Sequence, residues 1–466
     1  MIPVDAGGIM GFFKAYDMRG TFGADFDLDT VYKVGLSLPA ALERANGGVS
    51  RRPRVLIGRD ARATSPAIAS ALKAGLSRAG AEVEDMGLAT TPMVYFFTAE
   101  DSFDGSVMIT ASHNPPSDNG LKVSSRGALP MGRDSGLADV EREVASRGDV
   151  LPSRLPDARQ GTDPERLRRY VEFLRRDAPD LSSLRFAVDC SDGMASILAR
   201  ELFPGAVLLN AVPDGTFPHH SPNPLLPESR VALSDAVRSG ALDCGVMFDG
   251  DADRCVFVDG DGEFVAPDLL IPILAETYPV RSGRIIHDVR TSRAVIERLR
   301  EDGFEPVMGK VGHAYAKVLL RETGAICGGE LAGHYYFRDF HFCDSGELAA
   351  LRILGAFAAA KAEGSSVDGR LACVRGRYSN SGEINFRVED KDAAVARILE
   401  TAAGLARETS RCDIDGVRLE FEEGWLSVRR SNTEPYLRLI VETRRVEDLK
   451  RWVDALSRAA VGKESK

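Results

Sequence analysis

The stretch VLIGRDARATSPAIASALKAGL, residues 55–76, decides the fold because two later stretches repeat its plan. An apolar run ends in an aspartate, small polar residues follow, and an amphipathic segment of helical period completes the unit. FAVDCSDGMASILARELF at 186–203 and RIIHDVRTSRAVIERLR at 284–300 are the other copies, and the three aspartates are Asp60, Asp189 and Asp288. Apolar strands that alternate with helices are typical of parallel βαβ units, so the repeat predicts three related α/β domains. One large sheet with coincidental similarity is the alternative.

The end of the chain has another pattern. GEINFRVED, VRLEFEEGWLSVRR and YLRLIVETRR alternate in the manner of antiparallel strands, and helical stretches at 391–409 and 446–460 accompany them. These elements predict a smaller α+β domain from about residue 373. A segment rich in proline, glycine and polar residues at 153–164 predicts the first linker. The predicted domains are 1–155, 156–260 and 261–372, each α/β, and 373–466, which is α+β.

Composition excludes several classes of function. The chain has 466 residues, which is enough for about three or four domains. Its 59 basic and 69 acidic residues give a net charge of −10, so we expect no nucleic acid and no anionic membrane as partner. No stretch approaches the roughly 20 apolar residues that span a bilayer, and the start lacks the plan of a secretion signal. Seven scattered cysteines without a CxxC motif indicate a reducing cytoplasm.

The run CGVMF is followed by DGDADR, which places Asp249, Asp251 and Asp253 at every second position. Three carboxylates this close are costly unless a hard divalent cation neutralises them. An EF-hand loop would need glycine and an acid where this chain has Arg254 and Gly260. A solvated acidic turn is the alternative. Magnesium fits better than calcium, because three monodentate carboxylates leave octahedral positions for a phosphate oxygen and water.

A second strand-like run ends in the turn TASHNP, which carries Ser112 and His113. Such a turn can present the Ser112 hydroxyl group outward with the imidazole beside it. Adjacent residues rarely form a nucleophile–base hydrogen bond, and the chain has no G-x-S-x-G motif, which argues against a hydrolase triad. An ordinary turn is the alternative.

A basic loop near the C-terminus, RRSNTEP, begins at Arg429 and is followed by Arg438. Guanidinium groups, hydroxyl groups, an amide and loop N–H groups are the donors that a phosphate dianion needs. In an acidic chain this local concentration indicates an anion site, and an exposed basic turn is the alternative.

Three further segments are weaker indications. GKVGH at 309–313 and GGELAGH at 328–334 contain glycines, which let the backbone approach a ligand closely, and Glu330 can accept from sugar hydroxyl groups. The segment FFKAYDMRG at 12–20 adds Tyr16 and a cluster of cations. The remaining histidines receive no role: His219, His220, His287 and His341.

Together these motifs resemble those of the α-D-phosphohexomutase family, and within it the bacterial phosphomannomutase/phosphoglucomutase branch. FKAYDMRG, TASHNP with Lys122 ten residues after Ser112, DGDADR, GGELAGH and RRSNTEP occur in the family's order and cover nearly the whole chain. The resemblance implies an α/β fold of three related domains with mixed sheets and a smaller C-terminal α+β domain around a central cleft. This expectation agrees with the repeats.

The resemblance also implies a role for each matching residue. Ser112 resembles the serine that the family carries as phosphoserine, and its phosphate would join three aspartates around one magnesium ion per chain. The implied catalytic residues are Ser112, His113, Lys122, Arg19 and Arg254; the implied metal ligands are Ser112, Asp249, Asp251 and Asp253; the implied substrate contacts are Tyr16, Arg290, His313, Glu330, His334, Arg429, Ser431, Asn432, Thr433 and Arg438.

Three departures from the family pattern stand out. Ala332 replaces a serine of the sugar-binding loop and removes one hydroxyl contact, which bears on sugar preference. Arg290 replaces a lysine, so the charge is kept while its geometry changes. A typical Asp-Asp-Gly reads Asp344-Ser345-Gly346 here.

The implied reaction is reversible phosphoryl transfer between the 1 and 6 positions of mannose or glucose phosphate, through a phosphoserine enzyme with hexose 1,6-bisphosphate as intermediate and activator. The partner is the hexose phosphate, and the chain is a monomer or homodimer. Lys122 and His334 are both candidates for the general base. The alternatives are phosphoglucosamine mutase, whose last motif typically reads S-G-T-E-P, a magnesium-dependent phosphatase, and a sugar-phosphate-binding regulator, which would need the loss of Ser112 or a metal ligand.

Overall fold

The computed structural model of the protein describes residues 11–48, 52–430 and 436–462, and four sheets follow one another along this part of the chain. The strands of the first sheet are β1 (Met18–Thr21), β2 (Arg54–Arg59), β3 (Glu82–Leu88), β4 (Gly105–Ile109), β5 (Asp118–Ser125) and β6 (Leu129–Pro130). The helices of this region are α1 (Leu28–Ala45), α2 (Ser65–Arg78), α3 (Thr91–Glu100) and α4 (Leu137–Ser146).

The next two sheets have five strands each. The second contains β7 (Phe186–Asp189), β8 (Val207–Leu209), β9 (Cys244–Phe248), β10 (Cys255–Val258) and β11 (Phe264–Val265), with α5 (Pro164–Arg175), α6 (Ala199–Leu202) and α7 (Val231–Gly240). After α8 (Ile271–Glu276), the third contains β12 (Gly283–Asp288), β13 (Phe304–Gly309), β14 (Cys327–Gly329), β15 (Tyr335–Phe337) and β16 (Cys343–Asp344), with α9 (Arg293–Glu301), α10 (His313–Thr323), α11 (Gly346–Ala362) and α12 (Val367–Leu371).

These three sheets share one arrangement of four strands. The orders are β3-β2-β4-β5, β8-β7-β9-β10 and β13-β12-β14-β15. In each, the repeat strand β2, β7 or β12 has a parallel neighbour on both sides, and the fourth strand is antiparallel. The sheets are therefore mixed, and the prediction of three related α/β domains is confirmed.

The aspartates at the ends of the three repeat strands form the same local hydrogen bond. A carboxylate oxygen of Asp60, Asp189 and Asp288 accepts the backbone N–H two residues later, at 3.1, 2.8 and 2.6 Å. This turn starts the following segment in each copy. The second copy has less α-helix than its predicted amphipathic segment of helical period. Its segment Met194–Ile197 is a short 3₁₀ helix and α6 has four residues, while the N–H of Met194 donates to the Gly250 carbonyl at 2.9 Å.

The fourth sheet has antiparallel pairing throughout its described strands, as predicted. It contains β17 (Ser379–Asn380), β18 (Ile384–Arg387), β19 (Glu408–Cys412), β20 (Val417–Phe421), β21 (Gly424–Arg430) and β22 (Tyr436–Thr443), with α13 (Lys391–Leu405) and α14 (Val446–Val461). The predicted helix 391–409 is too long, because Ala406 is already extended (φ −159°, ψ 164°) and β19 begins at Glu408.

Two features of the cores bear on the site. One apolar cluster runs through the first three domains and joins Phe96, Tyr170 and Phe340, whereas the fourth domain has a separate core around Trp452. The first three domains thus form a continuous packed body, to which the fourth is attached. The domain limits at 155, 260 and 372 stay predictions, although β11 lies beyond residue 260 and pairs with β10. Within the described residues, no helix is long and apolar enough to cross a membrane.

Candidate active site

Three loops of the candidate site follow equivalent strands of the three related sheets. The loop after β4 carries Ser112, the loop after β9 carries Asp249, and the loop after β14 carries Glu330. Each of these strands lies parallel to the repeat strand of its own sheet, so each loop leaves the carboxyl edge of that sheet. Two of the loops meet directly, because the Ser112 hydroxyl group donates to Asp249 Oδ2 at 2.8 Å.

The backbone of Ser112 is held in a strained conformation. Its φ is 52°, a left-handed value that non-glycine residues rarely adopt, and its side chain is buried. The guanidinium group of the buried Arg62 donates to the carbonyl groups of Ser112 and Asn114, at 2.9 and 2.7 Å. Arg62 also pairs with Asp60 at 3.0 Å. A fixed cation beneath the loop thus stabilises the turn that presents the hydroxyl group.

The predicted metal ligands Asp249, Asp251 and Asp253 form one buried cluster, with ligand atoms within 4.8 Å of one another. Oδ1 of Asp251 and Oδ1 of Asp253 are buried and accept no hydrogen bond from the described residues. Burial and the two neighbouring carboxylates raise the pKa of Asp249 well above its usual value. Unpartnered buried carboxylate oxygens fit a divalent cation, which would supply the missing charge.

Several cations surround this cluster. Lys122 Nζ lies 2.6 Å from Asp251 Oδ2 and 2.5 Å from Asp253 Oδ2. Arg19 pairs with Asp17 at 2.7 Å and donates to Asn114 Oδ1 at 3.1 Å, so it lies beside the Ser112 loop. The structure therefore brings Arg19 and Lys122 to the same place as the serine and the aspartates.

His113 and Arg254 complete this group. His113 Nδ1 lies 3.3 Å from the Ser112 hydroxyl oxygen. Burial, with the charges of Arg254, Arg19 and Lys122, lowers the pKa of His113 well below its usual value, so its imidazole is neutral. Arg254 Nε donates to His334 Nε2 at 2.9 Å, which links the loop after β9 to the loop after β14.

The predicted sugar contacts line the adjoining part of the site. The ring of His313 lies 5.7 Å from that of His334 and 5.1 Å from that of Tyr16, measured between centroids. Both ring nitrogens of His313 are buried without a hydrogen-bond partner among the described residues. Glu330 accepts from the Gly312 N–H at 2.6 Å and from the Tyr336 hydroxyl group at 3.0 Å. Burial and the nearby Asp288 raise the pKa of Glu330.

Three predicted substrate contacts, Arg290, Arg429 and Arg438, lie where the third and fourth domains meet. Arg290 pairs with Asp288 at 2.7 Å, and Asp288 Oδ2 also accepts the N–H of Leu331 in the sugar loop. Glu383 lies between Arg290 and Arg438, at 3.9 and 3.3 Å.

On the same boundary, Arg429 pairs with Asp415 at 2.8 Å, and Asp415 accepts the N–H of Val311 at 3.0 Å. The predicted contacts Ser431, Asn432 and Thr433 lie outside the described residues.

Some residues of this region were missed from the sequence. Arg62 could have been found, because Asp60-x-Arg62 in the first copy has the same spacing as Asp288-x-Arg290 in the third. Thr91, whose hydroxyl group donates to Asp251 Oδ2 at 2.5 Å, begins α3 directly before a proline, which is a helix-start pattern. Asp344 lies in the Asp344-Ser345-Gly346 motif but received no role from the sequence, and the others belong to no motif: Lys317, Tyr336, Glu383 and Asp415.

Four family models match the chain in order. They describe phosphoglucomutase/phosphomannomutase α/β/α domain I at residues 10–148, domain II at 168–262, domain III at 266–372 and the C-terminal domain at 383–459.

Curated relatives match over most of their length. Phosphohexose mutases of Xanthomonas campestris pv. campestris are 36% identical over 440 residues, which covers 93% of this chain and 95% of the relative. A phosphomannomutase of Escherichia coli K12 is 35% identical over 455 residues, with 93% and 94% covered. One of Salmonella typhimurium is 37% identical over 456 residues, with the same coverage.

Solved structures agree. A phosphoglucomutase/phosphomannomutase family protein of Burkholderia thailandensis has a TM-score of 0.82 and 31% identity, covering 98% of this chain and 97% of its own. A putative phosphomannomutase of Thermus thermophilus shares the fold with a TM-score of 0.74 at 20% identity, covering 96% and 98%.

Proposed function

Because the chain belongs to the phosphoglucomutase/phosphomannomutase family and is a phosphohexomutase, we propose that it moves a phosphoryl group between the 1 and 6 positions of mannose or glucose phosphate. The carrier is a phosphoserine at position 112, and the intermediate is a bisphosphorylated sugar. The observation that carries the proposal is the 2.8 Å contact between the Ser112 hydroxyl group and Asp249 in the buried acidic cluster. This contact puts the Ser112 hydroxyl group at the edge of the cluster that would hold a divalent cation.

Phosphoryl transfer depends mainly on position and on neutralising charge, and the surroundings of Ser112 supply both. The bond from phosphorus to the Ser112 oxygen breaks, and a bond to the free sugar hydroxyl oxygen forms. Asp249, Asp251 and Asp253 would hold Mg²⁺, which when bound withdraws charge from the phosphoryl oxygens. Arg19 and Lys122 orient the phosphoryl group from the two sides of the cluster.

The sugar hydroxyl group must lose its proton as the new bond forms. Lys122 and His334 were both candidates for the base. Lys122 lies against two carboxylates, which favour its charged form. His334 Nε2 carries a lone pair, which accepts from Arg254 in this structure and can take a proton once Arg254 turns to the phosphoryl group. We propose His334 as the base. His113, which is neutral, supports the serine oxygen.

The intermediate must then turn so that its other phosphate reaches Ser112. The distal phosphate is bound by Arg290, Arg429 and Arg438, and by the loop that holds Ser431, Asn432 and Thr433. This site accepts either end of the sugar, which explains why it is built from charges. Glu330, Tyr16 and His313 contact the sugar ring. Phosphoglucosamine mutase is the alternative for the substrate, and the cytoplasm is the proposed location.

One assay tests the substrate. Purified enzyme with Mg²⁺ and hexose 1,6-bisphosphate is given mannose 1-phosphate, glucose 1-phosphate and glucosamine 1-phosphate in parallel, and the 6-phosphates are measured by coupled reactions. We expect turnover of the first two. Preference for glucosamine 1-phosphate would assign the alternative, and release of inorganic phosphate would indicate a phosphatase.

Two substitutions test the site. Ser112→Ala should abolish interconversion of glucose 1-phosphate and glucose 6-phosphate, whereas Ser117→Ala, on the exposed side of the same loop, should not. Asp251→Asn should remove magnesium-dependent turnover while the protein stays folded. Turnover that persists in Ser112→Ala would refute the phosphoserine role.

A further inference from the structure

A buried ion pair lies behind the proposed base His334. Lys317 on α10 places its ammonium group 2.8 Å from Asp344 Oδ1, at the end of β16, and neither side chain is exposed. The ammonium group also lies 3.5 Å from the ring centroid of Tyr95, on α3 of the first domain. Removing two charges from water costs several kcal/mol, so such a pair contributes little to stability. Its position next to the site calls for a functional explanation.

The second oxygen of Asp344 reaches the imidazole. Asp344 Oδ2 lies 2.8 Å from His334 Nδ1, while His334 Nε2 accepts from Arg254 Nε at 2.9 Å. A carboxylate can only accept and an arginine can only donate. The two neighbours therefore require one tautomer of His334, with the hydrogen on Nδ1 and the lone pair on Nε2.

A metal ion is the competing explanation for this group. Asp253, His334 and Asp344 have ligand atoms within 4.8 Å of one another. However, Lys317 already lies against Asp344, and Arg254 lies against His334. A divalent cation between them would face two fixed positive charges at close range, which disfavours it. The group is better explained as a chain of close charge contacts from Lys317 through Asp344 to His334, which ends in the hydrogen bond from Arg254.

We propose that Asp344, its charge balanced by Lys317, is a positioning residue that keeps the His334 hydrogen on Nδ1 and so keeps the lone pair on Nε2, where Arg254 holds it until the sugar hydroxyl group takes the place of that guanidinium group. The inference rests on the proposed function, in which Nε2 takes the proton of the sugar hydroxyl group. Without an acceptor at position 344, nothing on this side fixes the tautomer. An Nε2–H would then face the N–H of Arg254, and the imidazole could not act as a base.

Two double variants separate this role from a structural one. Lys317→Met with Asp344→Asn and Lys317→Met with Asp344→Leu both remove the ion pair as a whole, so neither leaves an unpaired buried charge. Asparagine and leucine are similar in size, but only asparagine has an oxygen that can accept from His334 Nδ1. We expect kcat of the leucine variant to be at least tenfold below that of the asparagine variant. The two variants should agree within about twofold in KM for glucose 1-phosphate and in Mg²⁺ affinity. Their melting temperatures should agree within a few degrees.

Equal kcat in the two variants would overturn the proposal and leave the ion pair a structural element. If the leucine variant fails to fold, the tautomer of His334 in the wild-type holoenzyme tests the proposal instead. The imidazole ¹⁵N resonances of His334, assigned by their loss in His334→Gln, should show Nδ1 protonated and Nε2 bare. The opposite tautomer would contradict the proposal. A wild-type enzyme that turns over no hexose phosphate would instead refute the proposed function, and the ¹⁵N measurement would still stand.

Discussion

At the scale of single residues, the loop of the proposed phosphoserine depends on a buried side chain outside the proposed set of substrate contacts. Arg62 is fully enclosed, and its donors go to the carbonyl groups of Ser112, Asn114, Pro115 and Asp118. A planar guanidinium with five N–H groups can serve four carbonyl groups and a carboxylate at once, whereas a lysine ammonium has three hydrogens. The left-handed backbone at Ser112 persists because this cation compensates for its cost.

Arg62→Lys keeps the charge and loses most of these bonds. We expect the free energy of unfolding to fall by about 2–4 kcal/mol, because buried carbonyl groups are left without donors. Turnover should fall at least tenfold, since the Ser112 turn loosens. Urea denaturation and kcat measure the two effects. Arg54→Lys is the matched control, because its pair with Glu84 is about one third exposed and is worth at most about 1 kcal/mol. Equal effects of the two substitutions would contradict this role for Arg62.

At the scale of elements, the site is built from loops that follow equivalent strands of the three repeated sheets. Ser112, Asp249 and Glu330 follow β4, β9 and β14, which hold the same place in their sheets. The sequence predicts the repeat strands β2, β7 and β12 well, because their apolar runs end in aspartates with a common turn. It does not show that the functional loops are equivalent, since strand order is set by packing between distant segments.

The close approach of two loops can be tested at Gly250. A Cβ atom there would lie 2.6 Å from the Ser112 carbonyl oxygen, so the loop after β9 could not stay against the loop after β4. Gly250→Ala should separate Ser112 from Asp249 and lower kcat at least a hundredfold. Gly404→Ala is the control, because a Cβ there meets nothing within 4 Å on helix α13, and it should leave kcat unchanged. Normal turnover of Gly250→Ala would show that the loops need not touch.

The first turn of α11 contains a buried acid that makes stability depend on pH. Burial raises the pKa of Glu347 to about 8, and its Oε2 accepts from the Ser345 hydroxyl group. The folded state therefore keeps a proton that the unfolded chain loses above its ordinary pKa of 4.5. Unfolding free energy should fall as pH rises from about 4.5 to 8, by up to about 1.4 kcal/mol per pH unit, and then level off.

Glu347→Gln removes this proton exchange. Between pH 5 and 8 the unfolding free energy of the wild type should fall, and the variant should lack the part of that fall that Glu347 causes. The unfolding free energies of the two proteins should therefore differ most at pH 8. Urea denaturation at several pH values measures it. The exposed Glu363→Gln, at the other end of α11, should behave as the wild type does. A steeper decline in Glu347→Gln would contradict the assignment.

At the scale of the whole molecule, the sequence predicts how many domains there are and which motifs belong together, because each motif carries its chemistry locally. It does not predict the contacts that join the domains. Arg418 donates to the carbonyl groups of Val289 and Thr291, and Glu442 accepts the N–H of Arg293, yet nothing in the repeat or in the strand patterns pairs these residues. Single polar residues at domain boundaries look like ordinary surface residues until the fold brings their partners to them.

The contact between the third and fourth domains at Asp415 leads to a prediction about substrate affinity. Asp415 lies 2.8 Å from Arg429 and accepts the N–H of Val311, so it ties the fourth domain to the third while holding an arginine that we assign to the substrate phosphate. Its negative charge opposes a dianion at that place. Asp415→Asn keeps an oxygen for Val311 and removes the charge. We therefore expect glucose 6-phosphate to bind about fivefold more tightly, which corresponds to about 1 kcal/mol.

Calorimetry in the Ser112→Ala background measures this affinity without turnover. Asp413→Asn is the control, because Asp413 is exposed, belongs to the same loop and pairs with Arg411. Weaker binding in Asp415→Asn alone would show that the tie between the domains matters more than the charge, because the arginine then needs the carboxylate to hold it in place. Unchanged binding in both variants would place the distal phosphate away from Arg429. Tighter binding only in Asp415→Asn would mean that the substrate phosphate competes with the Asp415 carboxylate for Arg429.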